Sequence, residues 1–190
     1  SMPGYLNSAQ MLLECDYQQA AALLQDGQFE QARELFSSLA DQNYADADQQ
    51  ALECDYQEAE QFYERKAYVF AAQAFEQLAK DHGYRDSLQR ADDCYYEAAK
   101  QALDQDLYLM TIDYCDARLQ DSERWDALLA EVLPLIKQKC LNLYAEIYTE
   151  NGMDFYIYYQ IQTLYHSYSN YRQDLDSWYD KLSNLYWDSI

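Results

Sequence analysis

Hydrophobic positions along the chain recur at helical spacing. Leu13, Tyr17, Ala20 and Leu24 fall at i, i+4, i+7 and i+11, one stripe on an α-helix. Asp26-Gly27 ends that stripe, and Gly27 suits the left-handed residue that follows a helix. A second stripe then runs through Phe29, Ala32, Leu35, Phe36 and Leu39. The same pair of stripes returns, its second helix now carrying Tyr68, Ala71, Phe75 and Leu78, and Asp81-His82-Gly83 closes it as a cap and turn. In a third pair Tyr108 holds its place, while Thr111 and Cys115 stand where Ala and Phe stood. Strand signals are missing, so the pattern predicts a chain built of helices without a sheet.

The stripes belong to a sequence repeat. Leu12-Leu13-Glu14-Cys15-Asp16-Tyr17-Gln18, Ala51-Leu52-Glu53-Cys54-Asp55-Tyr56-Gln57 and Ala91-Asp92-Asp93-Cys94-Tyr95-Tyr96-Glu97 align on cysteines 39 and then 40 residues apart. Ten residues before each cysteine is a tyrosine (Tyr5, Tyr44, Tyr84). Three residues after that tyrosine is a small residue (Ser8, Ala47, Ser87). Five residues after each cysteine is an alanine: Ala20, Ala59 and Ala99. Four columns held in register over three units predict structural repeats, each a helix pair stacked on the next.

Gly27-x-Phe29-x-x-Ala32-x-x-x-Phe36-x-x-Leu39 resembles the second-helix signature of tetratricopeptide (TPR) repeats. The Tyr-x-Asp/Asn-Ala/Ser extension before each cysteine resembles TPR-like repeats of Firmicutes proteins, some of which are joined to zinc-ribbon or membrane segments. The likeness covers roughly residues 5 to 130. Two departures stand out. The unit is longer than the usual TPR length of about 34 residues, and Gly27 is replaced by Lys66 and Asp106 in the later units. The resemblance implies an all-α fold, a right-handed α-solenoid of TPR-like helix pairs with a divergent helical C-terminal cap. It also implies a concave surface, built largely by the first helices, that holds a peptide or protein segment.

Three helix pairs are expected over residues 1–132, and a divergent, Tyr-rich repeat and cap over 133–190 of the same solenoid. Pro3-Gly4 reads as a short turn ahead of the first helix. Trp125-Asp126-Ala127 stands where the Tyr-x-Asp-Ala motif should recur, and Pro134 reads as an interruption or as the first residue of a helix. Helices are expected over about 135–149, 154–168 and 172–187, the last one covering the open end of the stack.

Composition narrows the functions open to such a chain. Its 190 residues allow one domain, or two at most. Lys and Arg number 13 against 34 Asp and Glu, a net charge of −21 that disfavours contact with nucleic-acid phosphates or an anionic membrane. No apolar run approaches the roughly 18 residues of a membrane span, and no signal peptide is seen. The first 32 residues contain no Lys or Arg. From Cys140 onward only Arg172 and Lys181 are basic, against seven acids.

Candidate chemistry is sparse. Cys15, Cys54, Cys94, Cys115 and Cys140 include no C-x-x-C pair, which argues against a zinc site. Equivalent repeat positions stand too far apart for a disulfide, whose Cα atoms lie within about 7 Å. Cys94 and Cys115 share one unit and are the one pair that could meet. The cysteines are therefore expected reduced and largely buried, small residues where helices approach closely. Free thiols favour a reducing compartment, leading to the expectation of a cytoplasmic protein or a soluble fragment of a larger bacterial one. His82 sits at a helix end, where a cation suits the carbonyl terminus, and His166 lies between Tyr165 and Tyr168. No nucleophile with an adjacent base and no glycine-rich phosphate loop is visible, so neither catalysis nor a cofactor is expected. The acidic clusters Asp46/Asp48, Asp92-Asp93 and Asp174/Asp176 lack the calcium-loop pattern and read as solvated faces.

Tyrosine is the unusual residue: 21 occur, ten of them beyond Cys140. Tyr and Trp give large contact area at low entropic cost and are favoured at recognition surfaces, yet a tyrosine recurring with the repeat is first a packing residue. The expected function is a non-catalytic scaffold binding a basic or amphipathic protein or peptide through Tyr56, Glu60, Tyr63, Tyr96, Tyr144 and Tyr148. An acidic mimic of nucleic acid that blocks a basic DNA- or RNA-binding protein is the alternative. A carbohydrate binder and a zinc- or redox-active domain stand behind it.

Overall fold

The computed structural model describes the backbone of residues 3–120 and 122–149, together with Tyr159 and Thr163. Side chains are described from Ser8 onward within those residues, apart from positions 137, 140, 141 and 143–149. The helices expected over 154–168 and 172–187, with the capping role given to the last, lie outside the described residues.

Seven α-helices form among the described residues, and no strand: α1 (Pro3–Gln25), α2 (Phe29–Ala40), α3 (Ala47–Glu64), α4 (Tyr68–His82), α5 (Ser87–Asp104), α6 (Tyr108–Asp116) and α7 (Glu123–Thr149). The chain divides into two compact units, Ser1–Tyr95 and Tyr96–Ile190. In the first, α1 packs on α2, α2 on α3 and α3 on α4. Its core begins where the stripes of α1 and α2 meet. Ala20, Ala32, Phe36 and Leu39 are buried with Ala47 and Cys54 of α3. The corresponding residues of the next helix pair, Ala59, Ala71, Phe75 and Leu78, are buried as well. In the second unit α6 packs on α7, around Ile112, Val132 and Ile136. Thr111 and Cys115, which replace Ala and Phe in the third pair, remain fully buried, so those columns stay in the core despite the change of residue.

The turns repeat as closely as the core. Gly27, Lys66 and Asp106 all adopt left-handed backbone, with φ of 73°, 60° and 59°. Behind each, the following amide donates to a carbonyl five residues back: Gln28 to Leu23, Ala67 to Phe62 and Leu107 to Ala102, each at 2.9 Å. This is the Schellman closure of a helix, in which the left-handed residue is usually glycine. The replacement of Gly27 by Lys66 and Asp106 therefore leaves the turn intact. The turns between pairs also recur, with Asn43 and Ala45 left-handed in one and Gly83 and Arg85 in the next.

Four expectations are corrected, the first being the solvated-face reading of Asp92-Asp93, since Asp92 is buried. Pro3 and Gly4 form the first turn of α1 rather than a separate turn, since proline lacks the amide that the first helical residue leaves unpaired. Pro134 neither breaks nor starts a helix: α7 runs through it. The buried stripe Trp125, Leu128, Val132 and Ile136 continues in register past Pro134, and packing holds the helix. Pro134 and Ala130, whose carbonyl loses its helical donor, both lie on the exposed side where water can serve it. Finally, Cys54, Cys94 and Cys115 are buried but Cys15 is exposed, because α2 covers α3 at Cys54 and no described helix covers α1 at Cys15. All four are free thiols, Cys94 and Cys115 included.

Candidate functional site

The first helices of neighbouring pairs are joined by tyrosines. Tyr17 of α1 donates its hydroxyl to Asp46, 2.5 Å away at the start of α3. Tyr44, two residues earlier, donates in the opposite direction to Glu14 of α1 at 2.6 Å. The two rings meet edge to face at 6.0 Å. One repeat later the arrangement returns: Tyr56 donates to Asp86 and Tyr84 to Glu53, each at 2.8 Å, with the rings again 6.0 Å apart. Behind each pair a phenylalanine closes the stack, Phe36 against Tyr17 at 5.4 Å and Phe75 against Tyr56 at 5.1 Å. In the second unit Trp125 meets Tyr96 edge to face at 5.3 Å, taking the place that Tyr44 and Tyr84 hold. Trp125-Asp126-Ala127 thus occupies the position of the tyrosine motif.

Sequence explains the geometry. Glu14 and Tyr17, like Glu53 and Tyr56, are three residues apart and therefore share one face of a helix. Tyr44 and Asp46, like Tyr84 and Asp86, flank a left-handed residue that turns both toward the preceding first helix. Asp46 is the N-cap residue of α3 but makes no side-chain cap. Its carboxylate accepts from Tyr17 and from Gln50 at 3.0 Å, still placing negative charge at a helix N-terminus, where the dipole favours it.

These bonds shift the ionisation of both partners. The hydroxyl of Tyr44, then the amide of Gln18, hold Glu14 below its usual range. Tyr17, then Gln50, do the same for Asp46. The bond to Asp46, added to burial, pushes Tyr17 up to about 12. Burial, then the bond to a carboxylate, raises Tyr56 and Tyr84 to about 12 as well.

Tyr56, Glu60 and Tyr63 lie along α3, and Arg90 of α5 binds the last two. Its guanidinium donates to both oxygens of Glu60, from Nε at 2.8 Å and Nη2 at 2.5 Å. It stacks 4.7 Å from the Tyr63 ring centre and 5.3 Å from that of Phe75. Tyr63 also meets Tyr68 edge to face at 5.4 Å. Tyr56 is buried, while Glu60 and Tyr63 are half-buried and keep an edge toward solvent. Arg85 lies 5.1 Å from the ring centres of both Tyr56 and Tyr84 and pairs with Glu53 at 2.6 Å. In the second unit Tyr96 is half-buried and faces Arg124 at 4.9 Å and Lys100 at 5.7 Å. Tyr144 and Tyr148 stand one turn apart on α7, and their side chains are outside the described residues.

Sequence reasoning missed Arg85 and Arg90, because a lone basic residue in an acidic chain carries no spacing signal. Glu53 and Asp86 were missed as well, although the recurring Glu-x-x-Tyr and Tyr-x-Asp spacings carry a signal for them. A cleft beside the Arg33–Asp55 ion pair is lined also by Glu58, Gln77 and His82. Among the described residues no three His, Cys, Asp or Glu gather in a metal-binding arrangement, and no helix is long and apolar enough to cross a membrane. No protein-family model, curated protein or solved structure matches the chain.

Proposed function

We propose that the chain is a non-catalytic protein- or peptide-binding scaffold, a right-handed α-solenoid of TPR-like helix pairs whose first helices form a concave face for a basic or amphipathic partner. The observation that carries this reading is the recurrence of tyrosine–carboxylate pairs on the first helices. They fix neighbouring helices in register, and Glu60 and Tyr63, half-buried on the same first helix as Tyr56, keep an edge toward solvent. With a net charge of −21, that surface attracts a basic segment at long range. Glu60 and Tyr63 supply contact in the first unit and Tyr96 in the second, and Tyr56 holds the neighbouring helix in place. The nucleic-acid mimic gains less support, because Glu14, Asp46, Glu53 and Asp86 already accept tyrosine hydroxyls where a mimic of phosphates needs open carboxylates.

The test is affinity capture from lysate of the source cell, comparing the wild-type chain with Tyr63→Ala/Tyr96→Ala. The expected result is a basic protein captured by the first and lost with the second, while the circular-dichroism melt persists. An acidic ligand, or capture indifferent to both substitutions, would refute the proposal.

A further inference from the structure

Each first helix has a face turned to the pair before it. On α3 that face is Ala47, Ala51 and Cys54, and α2 covers it with Ala32, Phe36 and Leu39. Arg33 of α2 reaches along its edge to Asp55 at 2.5 Å and Glu58 at 3.4 Å. On α5 the corresponding Ser87, Ala91 and Cys94 are fully buried. On α1 the corresponding residues are Ser8, Leu12 and Cys15, and all three are exposed.

Met11 and Leu12 lie side by side, 64% and 65% exposed, next to Cys15. Asp16, also exposed, occupies the position of Asp55, which on α3 takes the arginine of the covering helix. The acids nearby are Glu14, Asp16, Asp26 and Glu30, with no Lys or Arg before Arg33. A second copy laid face to face on α1 would bring two faces bordered by exposed Asp16, with no Lys or Arg before Arg33, into one contact, and their like charge disfavours self-pairing.

We propose that this face of α1 docks an amphipathic helix of a partner protein, one presenting a small residue, an arginine, a phenylalanine and a leucine at the spacing of Ala32, Arg33, Phe36 and Leu39. The covering of α3 by α2 supplies the template for the apolar stripe, and Asp16 supplies the carboxylate for the arginine. None of these residues is Glu60, Tyr63 or Tyr96, so the two readings stand or fall apart.

The probe is a labelled peptide of residues 28–41 carrying Glu30→Lys, whose side chain is joined to that of Glu34. Both positions are exposed in the protein, and the bridge offsets the helix-nucleation cost that leaves so short a helix unformed in water. Its helicity is verified by circular dichroism before use. With the full chain we expect saturable binding by fluorescence anisotropy, and alkylation of Cys15, followed by mass spectrometry, slowed several-fold at saturation. Leu12→Glu in the protein, or Arg33→Glu or Phe36→Ala in the peptide, should each weaken binding about ten-fold or more, as for a central anchor. The peptide variants keep the test decisive if the Leu12→Glu chain folds poorly. Absence of binding by the helical peptide, or binding with the Cys15 rate unchanged, would overturn the proposal. So would self-association in sedimentation that Leu12→Glu abolishes, since the occupant would then be a second copy.

Discussion

The hydroxyl of Tyr56 and the carboxylate of Asp86 meet at 2.8 Å across 30 residues of sequence, and Tyr17 and Asp46 meet at 2.5 Å across 29 one repeat earlier. Each bond ties a first helix to the start of the next. Because the reciprocal bonds run from Tyr44 to Glu14 and from Tyr84 to Glu53, every such junction is held from both sides. A packed stack of mostly small residues, with alanine in two of its columns, gains from these polar ties a fixed register that apolar burial alone specifies weakly.

Stability should fall at both ends of the pH range. Tyr17, Tyr56 and Tyr84 ionise near 12 in the folded chain against 10.0 ordinarily. A raised folded pKa contributes stability that is complete below pH 10 and is lost as pH climbs from there toward 12. Glu14 and Asp46 are lowered, so their contribution is present above the ordinary carboxylate range and is lost as acid titrates them in the folded state. We expect a flat melting temperature near neutrality, a decline above pH 10, and a group of tyrosines that ionise late by ultraviolet absorbance. Tyr56→Phe should remove one late tyrosine and cost about 1 kcal/mol at pH 7, the usual net value of a hydrogen bond. Tyrosines that all titrate together near 10 would contradict the bonding pattern.

Lys66→Gly should stabilise the chain. Lys66 adopts the left-handed conformation that Gly27 holds one repeat earlier, and a side chain there costs roughly 1–2 kcal/mol. Glycine removes that strain and gives back part of the gain as entropy of the unfolded chain, leaving about 0.5–1 kcal/mol. Urea unfolding measures the difference. A destabilised variant would mean that the Lys66 side chain makes a contact worth more than its strain.

Ala59→Leu should destabilise by about 1–3 kcal/mol through overpacking. Ala59 is fully buried, as are Ala20 and Ala99 in the same column. Thermal unfolding gives the cost, and an unchanged melting temperature would show room in the core that the fold does not suggest.

Thiol reactivity should separate Cys15 from the buried cysteines. Burial pushes the thiols of Cys54 and Cys115 up to about 11, and both are enclosed. Site-resolved alkylation of the native chain near pH 8 should modify Cys15 quickly and Cys54, Cys94 and Cys115 only as the chain unfolds. Fast reaction at Cys54 would show that α2 does not cover α3 as described.

Sequence alone determined that the described residues are all-helical, with the stripes that become α1 to α6. Stripes such as Leu13, Tyr17, Ala20 and Leu24 fix where a helix must bury itself, and the 39- and 40-residue spacing of cysteines fixes which helices are equivalent. The columns of Ala20, Ala59 and Ala99 were readable as core because small residues recur only where backbones approach. Tertiary structure decided the rest. Local rules set a break at Pro134, but the stripe from Trp125 to Ile136 outweighs one missing hydrogen bond on the solvent side. Cys15 and Cys54 are the same residue in the same motif, yet one is exposed and the other buried, because α2 packs over Cys54 and no described helix packs over Cys15. The roles of Arg85 and Arg90 follow from which rings and carboxylates the packing sets beside them, and residues on different helices acquire that proximity only when the chain has folded.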